Sequence, residues 1–173
     1  MGAFINMNTM YRQDYVDLPL FEGLLPEQIG QIIPIIDEVR YDRDAVVFEQ
    51  GQPADCLYIL AEGEVVVRYK PYDGPPLIVT RIPSGGVFGW SSVLGRDVYT
   101  SASIAATKIV AYRISSASLM SLCGRNPDLG HILLERLAGV IAERMRNTHV
   151  SVLQLFSQGM ETNGNFAKRI GEK

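Results

Sequence analysis

The sequence predicts a mainly β fold with flanking helices: an antiparallel β-roll or jelly-roll barrel, followed by a long C-terminal helix suited to dimerisation. Three observations predict it. Between Val39 and Ile114, short runs of Val, Ile, Leu and Tyr alternate with Gly- and Pro-containing turns at close spacing, which is how many short antiparallel strands are written. After Asn126-Pro127-Asp128 nothing but the tolerable Gly130 and Gly139 interrupts the chain until about Gly159, a helix of roughly 30 residues. The 173 residues, 47% hydrophobic and 20% charged, suffice for one ordinary domain with a real core and are too few for two domains and a linker.

The elements follow in order. Residues 1–17 show no clean period and read as an N-terminal arm; 18–125 form the roll with its N-terminal and short C-side helices; 126–157 are the long helix; 158–173 read as a disordered tail. Pro26 suits a first helical turn, and Ile29, Ile32, Ile33 and Ile36 put one apolar face on a short helix that Pro34 interrupts. Val46-Val47-Phe48 and Leu57-Tyr58-Ile59-Leu60 are strands, and Ala61-Glu62-Gly63-Glu64 reads as a hairpin-like turn. Val65, Val67 and Tyr69 then share a face opposite Arg68 and Lys70. Pro71 to Pro76 is a loop, Leu77 to Ile82 a strand, Ser84-Gly85-Gly86 a turn, and Thr100 to Ala106 and Ile109 to Ile114 close the series, with Val110, Tyr112 and Ile114 on one face. Ser115 or Ser116 caps a short helix carrying Leu119, Met120 and Leu122 that stops at Gly124. The long helix bears two apolar stripes. Leu133, Leu137 and Val140 suit packing on the barrel, whereas Leu134, Ala138, Ile141, Met145, Thr148, Val152 and Leu155 keep the 4-3 spacing of a coiled-coil seam. One helix with two apolar faces needs two partners, so a homodimer is expected.

Composition excludes several function classes. Sixteen Lys+Arg against nineteen Asp+Glu leave a net charge of -3, the wrong sign for a surface that neutralises phosphates, and only about 17 residues follow Phe156, so no direct DNA binding is expected. Cys56 and Cys123 stand far apart with no C-x-x-C, as reduced thiols would. The start lacks a charged n-region and an apolar h-region, and no run approaches about 18 apolar residues, so no membrane association and a cytoplasmic location are expected. His131 and His149 are five turns apart, about 27 Å, and cannot share a metal ion. HExxH, GxGxxG and GxSxG are absent. No catalytic residue, metal or cofactor is assigned, and the expectation is a protein that is not an enzyme.

The order of helix, barrel, short helix and long helix resembles the cyclic nucleotide-binding domains of bacterial Crp/Fnr-like sensors. Leu20-Phe21-Glu22-Gly23-Leu24 resembles the family's opening motif; Phe48-Glu49-Gln50-Gly51 through Leu57 to Val65 resembles its central hairpin, and Gly86-Val87-Phe88-Gly89 the start of its phosphate-binding cassette. The resemblance runs from about Leu18 to Leu155. It implies a ligand-binding cassette at Gly86, Phe88, Gly89, Trp90, Ser91, Ser92, Thr100 and Ser101, in which backbone N–H groups surround a cyclic phosphate.

The cassette departs from the family pattern at its two charged positions. Where the family has a Glu for the ribose hydroxyl and an Arg for the phosphate, this chain reads Trp90 and Thr100. A hydrogen bond to a charged group contributes about 1.5–3 kcal/mol and a neutral one about 0.5–1.5. Losing two of the first kind for one of the second costs on the order of 2–5 kcal/mol, roughly 30- to several-thousand-fold in affinity. Arg96 in the same loop is a weaker candidate for an anion, and Trp90 either stacks on a flat ligand or fills the vacated ribose space. Thr148 falls where a family Thr meets the purine from across the dimer, and equally on the coiled-coil seam. The resemblance therefore implies a stand-alone regulatory sensor that binds cAMP weakly or binds another small ligand, and signals through its dimer helix to an unidentified protein partner. The alternative is a ligand-free interaction and dimerisation module with its pocket filled by Trp90.

Overall fold

The structure, a computed structural model, describes residues 18–146. They fall into a unit ending at Leu137 and a second beginning at Ala138. The first unit holds eight strands: β1 (Ile36–Tyr41), β2 (Val46–Phe48), β3 (Cys56–Glu62), β4 (Glu64–Tyr69), β5 (Leu77–Pro83), β6 (Val87–Phe88), β7 (Ala102–Ala105) and β8 (Ile109–Ser115). They form two four-stranded antiparallel sheets with orders β1-β8-β3-β6 and β2-β7-β4-β5.

That topology corrects the reading of Gly63. β3 pairs with β6 and β8, and β4 with β5 and β7, so Gly63 is a corner where the chain leaves one sheet for the other. The corner needs glycine: φ is +92°, and a Cβ there would lie 2.5 Å from the Lys108 carbonyl oxygen. Ile36 is likewise not helical. Helix α1 (Pro26–Ile32) buries Ile29 and Ile32, a 3-10 turn takes Ile33–Ile35 around Pro34, and Ile36 opens β1 opposite Ile114. Its place in the 3.6-residue period was coincidental.

The inner faces of the sheets meet in a core of Phe48, Tyr58, Leu60, Val65, Ile82, Phe88, Tyr99, Ala105, Ile109 and Ala111. Val110, Tyr112 and Ile114 alternate with these along β8 and bury their side chains on the opposite face. A second apolar layer forms there, where Leu57 and Ile114 meet Leu20, Phe21, Ile32, Leu119, Leu133 and Leu137 around a narrow cleft. Helix α2 (Ser116–Arg125) starts on Ser115, whose Oγ accepts from the Ser118 N–H at 3.5 Å. Asn126 caps the third helix, α3 (127–146), accepting from the Leu129 N–H at 3.2 Å, while its amide donates to Gln31 Oε1 at 2.9 Å.

Of the expected seam, Leu134 is 39% exposed in the first unit; in the second, Ala138 and Met145 are exposed and Ile141 is buried. Thr148, Val152 and Leu155 lie outside the described residues, as do the arm, the tail and the end of the expected helix.

Candidate functional site

The cassette is held at both ends by the roll. At its start, the Gly85 N–H donates to the Leu60 carbonyl at 2.7 Å and the Leu60 N–H to the Gly86 carbonyl at 2.8 Å. β6 then lays Phe88, 1% exposed, opposite Tyr58. Gly89 turns the chain into a 3-10 turn, Trp90–Ser92, with φ at +76°. A Cβ on Gly89 would approach the Cys56 carbonyl oxygen to 2.8 Å and the Tyr58 ring to 3.0 Å, so the loop sits directly on β3 and its aromatics.

The far end is tied to the turn after β2. The Gly51 N–H donates to the Tyr99 carbonyl, the Tyr99 N–H to the Gln52 carbonyl and the Ala54 N–H to the Asp97 carbonyl, each at 2.9 Å. These bonds, with an isolated bridge between Pro53 and Val98, tie residues 97–99 to the turn after β2, and β7 begins at Ala102, two residues later than the strand expected from Thr100. Thr100 is exposed and Ser101 partly buried.

Between the two ends lies a floor of four rings. Phe48 stacks on Tyr99 with centroids 3.8 Å apart and planes 16° off parallel; Tyr58 and Phe88 stack at 5.1 Å, and Phe48 lies 5.7 Å from Tyr58 and 6.1 Å from Phe88. The Tyr99 hydroxyl donates to the Cys56 carbonyl at 2.7 Å and accepts from the Cys56 N–H at 3.1 Å. Both ends of the cassette thus converge on the main chain of Cys56. Burial, reinforced by Asp55, pushes the Cys56 thiol up to about 11, and burial pushes the Tyr99 hydroxyl up to about 12. Both are neutral at pH 7, so the floor offers neither a nucleophile nor a charge.

The sequence left Trp90 either to stack on a flat ligand or to fill the ribose space; the rings packed beneath the loop are Phe48, Tyr58, Phe88 and Tyr99. Trp90 is only partly buried and is absent from the core cluster. Leu94 beside it is 55% exposed, and Arg96 is exposed. Ser91 is 5% exposed. The Ser92 Oγ donates to the Gly89 carbonyl at 2.9 Å. The loop also uses its own donors: the N–H groups of Ser92, Val93, Leu94 and Arg96 bond to carbonyls of Gly89, Trp90, Trp90 and Ser91 at 3.0–3.2 Å. These four N–H groups are turned into the loop rather than toward an anion. Tyr99 and Phe48 were missed as site residues, although Tyr99 immediately precedes Thr100 and Phe48 lies in the quoted hairpin motif.

Tyr99→Phe tests the tie at Cys56. It removes a hydroxyl that is both donor and acceptor on a tyrosine 3% exposed and leaves the Cys56 N–H without its acceptor. A loss of about 1–3 kcal/mol in unfolding free energy is expected from urea denaturation.

Among the described residues, no group of three or more His, Cys, Asp or Glu is placed to hold a metal ion, and no helix is long and apolar enough to cross a membrane. The sequence model of the cyclic nucleotide-binding domain matches residues 38–126. The chain belongs to the cyclic nucleotide-binding domain family. A CRP-like cAMP-activated global transcriptional regulator of Mycobacterium tuberculosis is 27% identical over 136 residues, 79% of this chain and 59% of the regulator's length. A cyclic nucleotide-binding domain from Methylobacillus flagellatus superposes with a TM-score of 0.77 at 19% identity over 84% of each chain. The N-terminal domain of a transcriptional regulator from Streptomyces coelicolor gives 0.61 at 25% identity, over 75% of this chain and 90% of that one. In this cyclic nucleotide-binding domain Trp90 lies at the start of the 3-10 turn and Thr100 on the exposed approach to β7.

Proposed function

We propose that this chain is a non-enzymatic regulatory module that holds cAMP weakly, if it retains the ligand at all, and passes its state on through the long helix of a homodimer to a protein partner. The observation that carries the reading is the Phe48–Tyr99 stack, closed under Gly89 by the Cys56 tie, in a cassette whose charged positions are Trp90 and Thr100. Loss of the charged bonds alone moves a micromolar dissociation constant to roughly 30 µM to several millimolar. The exposure of Leu134 (39%) and Met145 (56%), two apolar positions of the expected seam, supports a dimer that would cover them.

The experiment is calorimetric titration of the 173-residue chain with cAMP, with sedimentation to read its oligomeric state. The expected result is a dimer that gives no saturable heat with cAMP below about 30 µM. Submicromolar cAMP affinity overturns the reading of the cassette, and a monomer at all concentrations overturns the reading of the helix.

A second reading, a ligand-free interaction module, is favoured by the inward-turned loop donors and filled floor. Thermal shifts with cyclic mono- and dinucleotides separate the two. A shift with any of them marks a sensor; a flat response throughout marks the ligand-free module.

A further inference from the structure

On the outer face of the sheet β2-β7-β4-β5 lies a groove of about 390 Å³ that does not include the cassette loop. Strand alternation creates it. Val65 and Val67 face the core, so Arg68 on β4 faces away from it, and Lys70, the residue just after the strand, follows two residues and about 7 Å further on. Ala102, opposite Arg68 on β7, provides a small floor, and the loop from Pro71 to Pro76 supplies the wall. Gln50 fixes the end of β4: its Oε1 accepts from the Lys70 N–H at 2.8 Å and its amide donates to the Lys70 carbonyl at 3.1 Å.

Two features point to a ligand. Arg68 is partly buried, yet among the described residues its guanidinium makes no ion pair or hydrogen bond, and the Lys70 ammonium makes no ion pair. With its stem packed on the sheet and its guanidinium unpaired, Arg68 presents a planar fork that suits a carboxylate. Tyr72 is fully exposed beside Pro71 and Pro76 on the groove wall, a flat apolar surface with nothing upon it. Glu49 lines the groove too, so its charges are two positive and one negative. That balance favours one negative charge on the ligand over two and leaves a carboxylate to accept from a ligand hydroxyl. The volume lies within the about 300–1,000 Å³ common for small-molecule sites.

We infer that this groove is a second ligand site, for an aromatic monocarboxylate whose carboxylate meets Arg68 and Lys70 and whose ring lies on Tyr72. It is independent of what the cassette binds. The test is an NMR titration of the full 15N-labelled chain with 4-hydroxybenzoate at low salt, with acetate and phenol as probes lacking ring and charge respectively. Saturable shifts of the Gln50, Arg68, Lys70 and Tyr72 amides are expected, with both half-probes weaker. Arg68→Gln with Lys70→Gln weakens binding about tenfold or more, and Arg68→Lys, which keeps the charge but not the fork, falls between. All these side chains lie on the outer face, and melting temperatures report that the variants fold. No saturable shift up to about 10 mM, binding unaltered by the double substitution, or shifts centred on Gly86 to Ser92 overturns the inference. Acetate binding as well as 4-hydroxybenzoate overturns the role of Tyr72.

Discussion

Phe48→Ala lowers the unfolding free energy by about 3–5 kcal/mol, the cost of emptying a buried aromatic site. Phe48 is 5% exposed and its ring meets those of Tyr58, Phe88 and Tyr99. Its strand has little else to hold it. β2 is three residues long, lies at the edge of its sheet and, among the described residues, pairs only with β7, through a register shift between Val46 and Phe48. The ring therefore anchors β2 as well as the cassette floor. Neighbouring side chains are constrained against collapsing into the hole, because the Tyr99 hydroxyl is fixed on Cys56 and Gly89 sits against the same carbonyl. Phe48→Leu retains most of the volume, and a cost of about 1–2 kcal/mol is expected. Urea denaturation checks both as a change in midpoint at constant slope. A loss below about 1 kcal/mol for the alanine variant shows that the four rings do not form a packed floor.

The parts of the fold legible in the sequence were those set by local chemistry. Strand alternation puts Val65 and Val67 inward and Arg68 outward whatever else the chain does, and Asn126-Pro127 starts a helix from its own cap. Gly63 was legible as a turn but not as a corner, because a glycine announces a change of direction without naming the strand that follows it as partner or stranger. Ile36 misled for a related reason: a 3.6-residue period and a strand can agree at a single position, and only pairing with Ile114 distinguishes them.

In the cassette, the Phe88-Gly89 pair was legible through the resemblance of Gly86 to Gly89 to the family motif, and the structure adds that Gly89 takes a positive φ. The filling of its floor was not. Tyr99 reaches Cys56 across 43 residues of chain, a contact with no periodic trace, so neither its tie nor its stack on Phe48 could be read from the sequence. The groove at Arg68 was hidden likewise. The outward face was readable, but the enclosing wall depends on how Pro71 to Pro76 folds back and on Gln50 bonding Lys70 twenty residues away.

Trp90→Glu combined with Thr100→Arg raises affinity for cAMP by about 30-fold or more over the parent chain, the lower edge of what the two missing charges are worth. The backbone to receive them is in place: Gly89 is left-handed, the 3-10 turn follows, and both ends of the loop are hydrogen-bonded to the roll. Neither substitution threatens the core, since Thr100 is exposed and Trp90 is outside the core cluster, and a melting temperature near the parent's confirms it. Each single variant recovers less than the pair, because one supplies only an acceptor for the sugar and the other only a partner for the phosphate. The gain also shrinks as salt rises, as an exposed guanidinium–phosphate contact is screened over about 8–10 Å at physiological ionic strength. Titration calorimetry of the four chains gives the comparison. The double variant separates the two physical causes of weak binding. If it binds cAMP no better than the parent, missing charge is not the obstacle, and the Phe48–Tyr99 stack under Gly89 excludes the nucleotide by volume. If it gains the full factor, the rings leave room, and the loss of the carboxylate and guanidinium accounts for the altered cassette by itself.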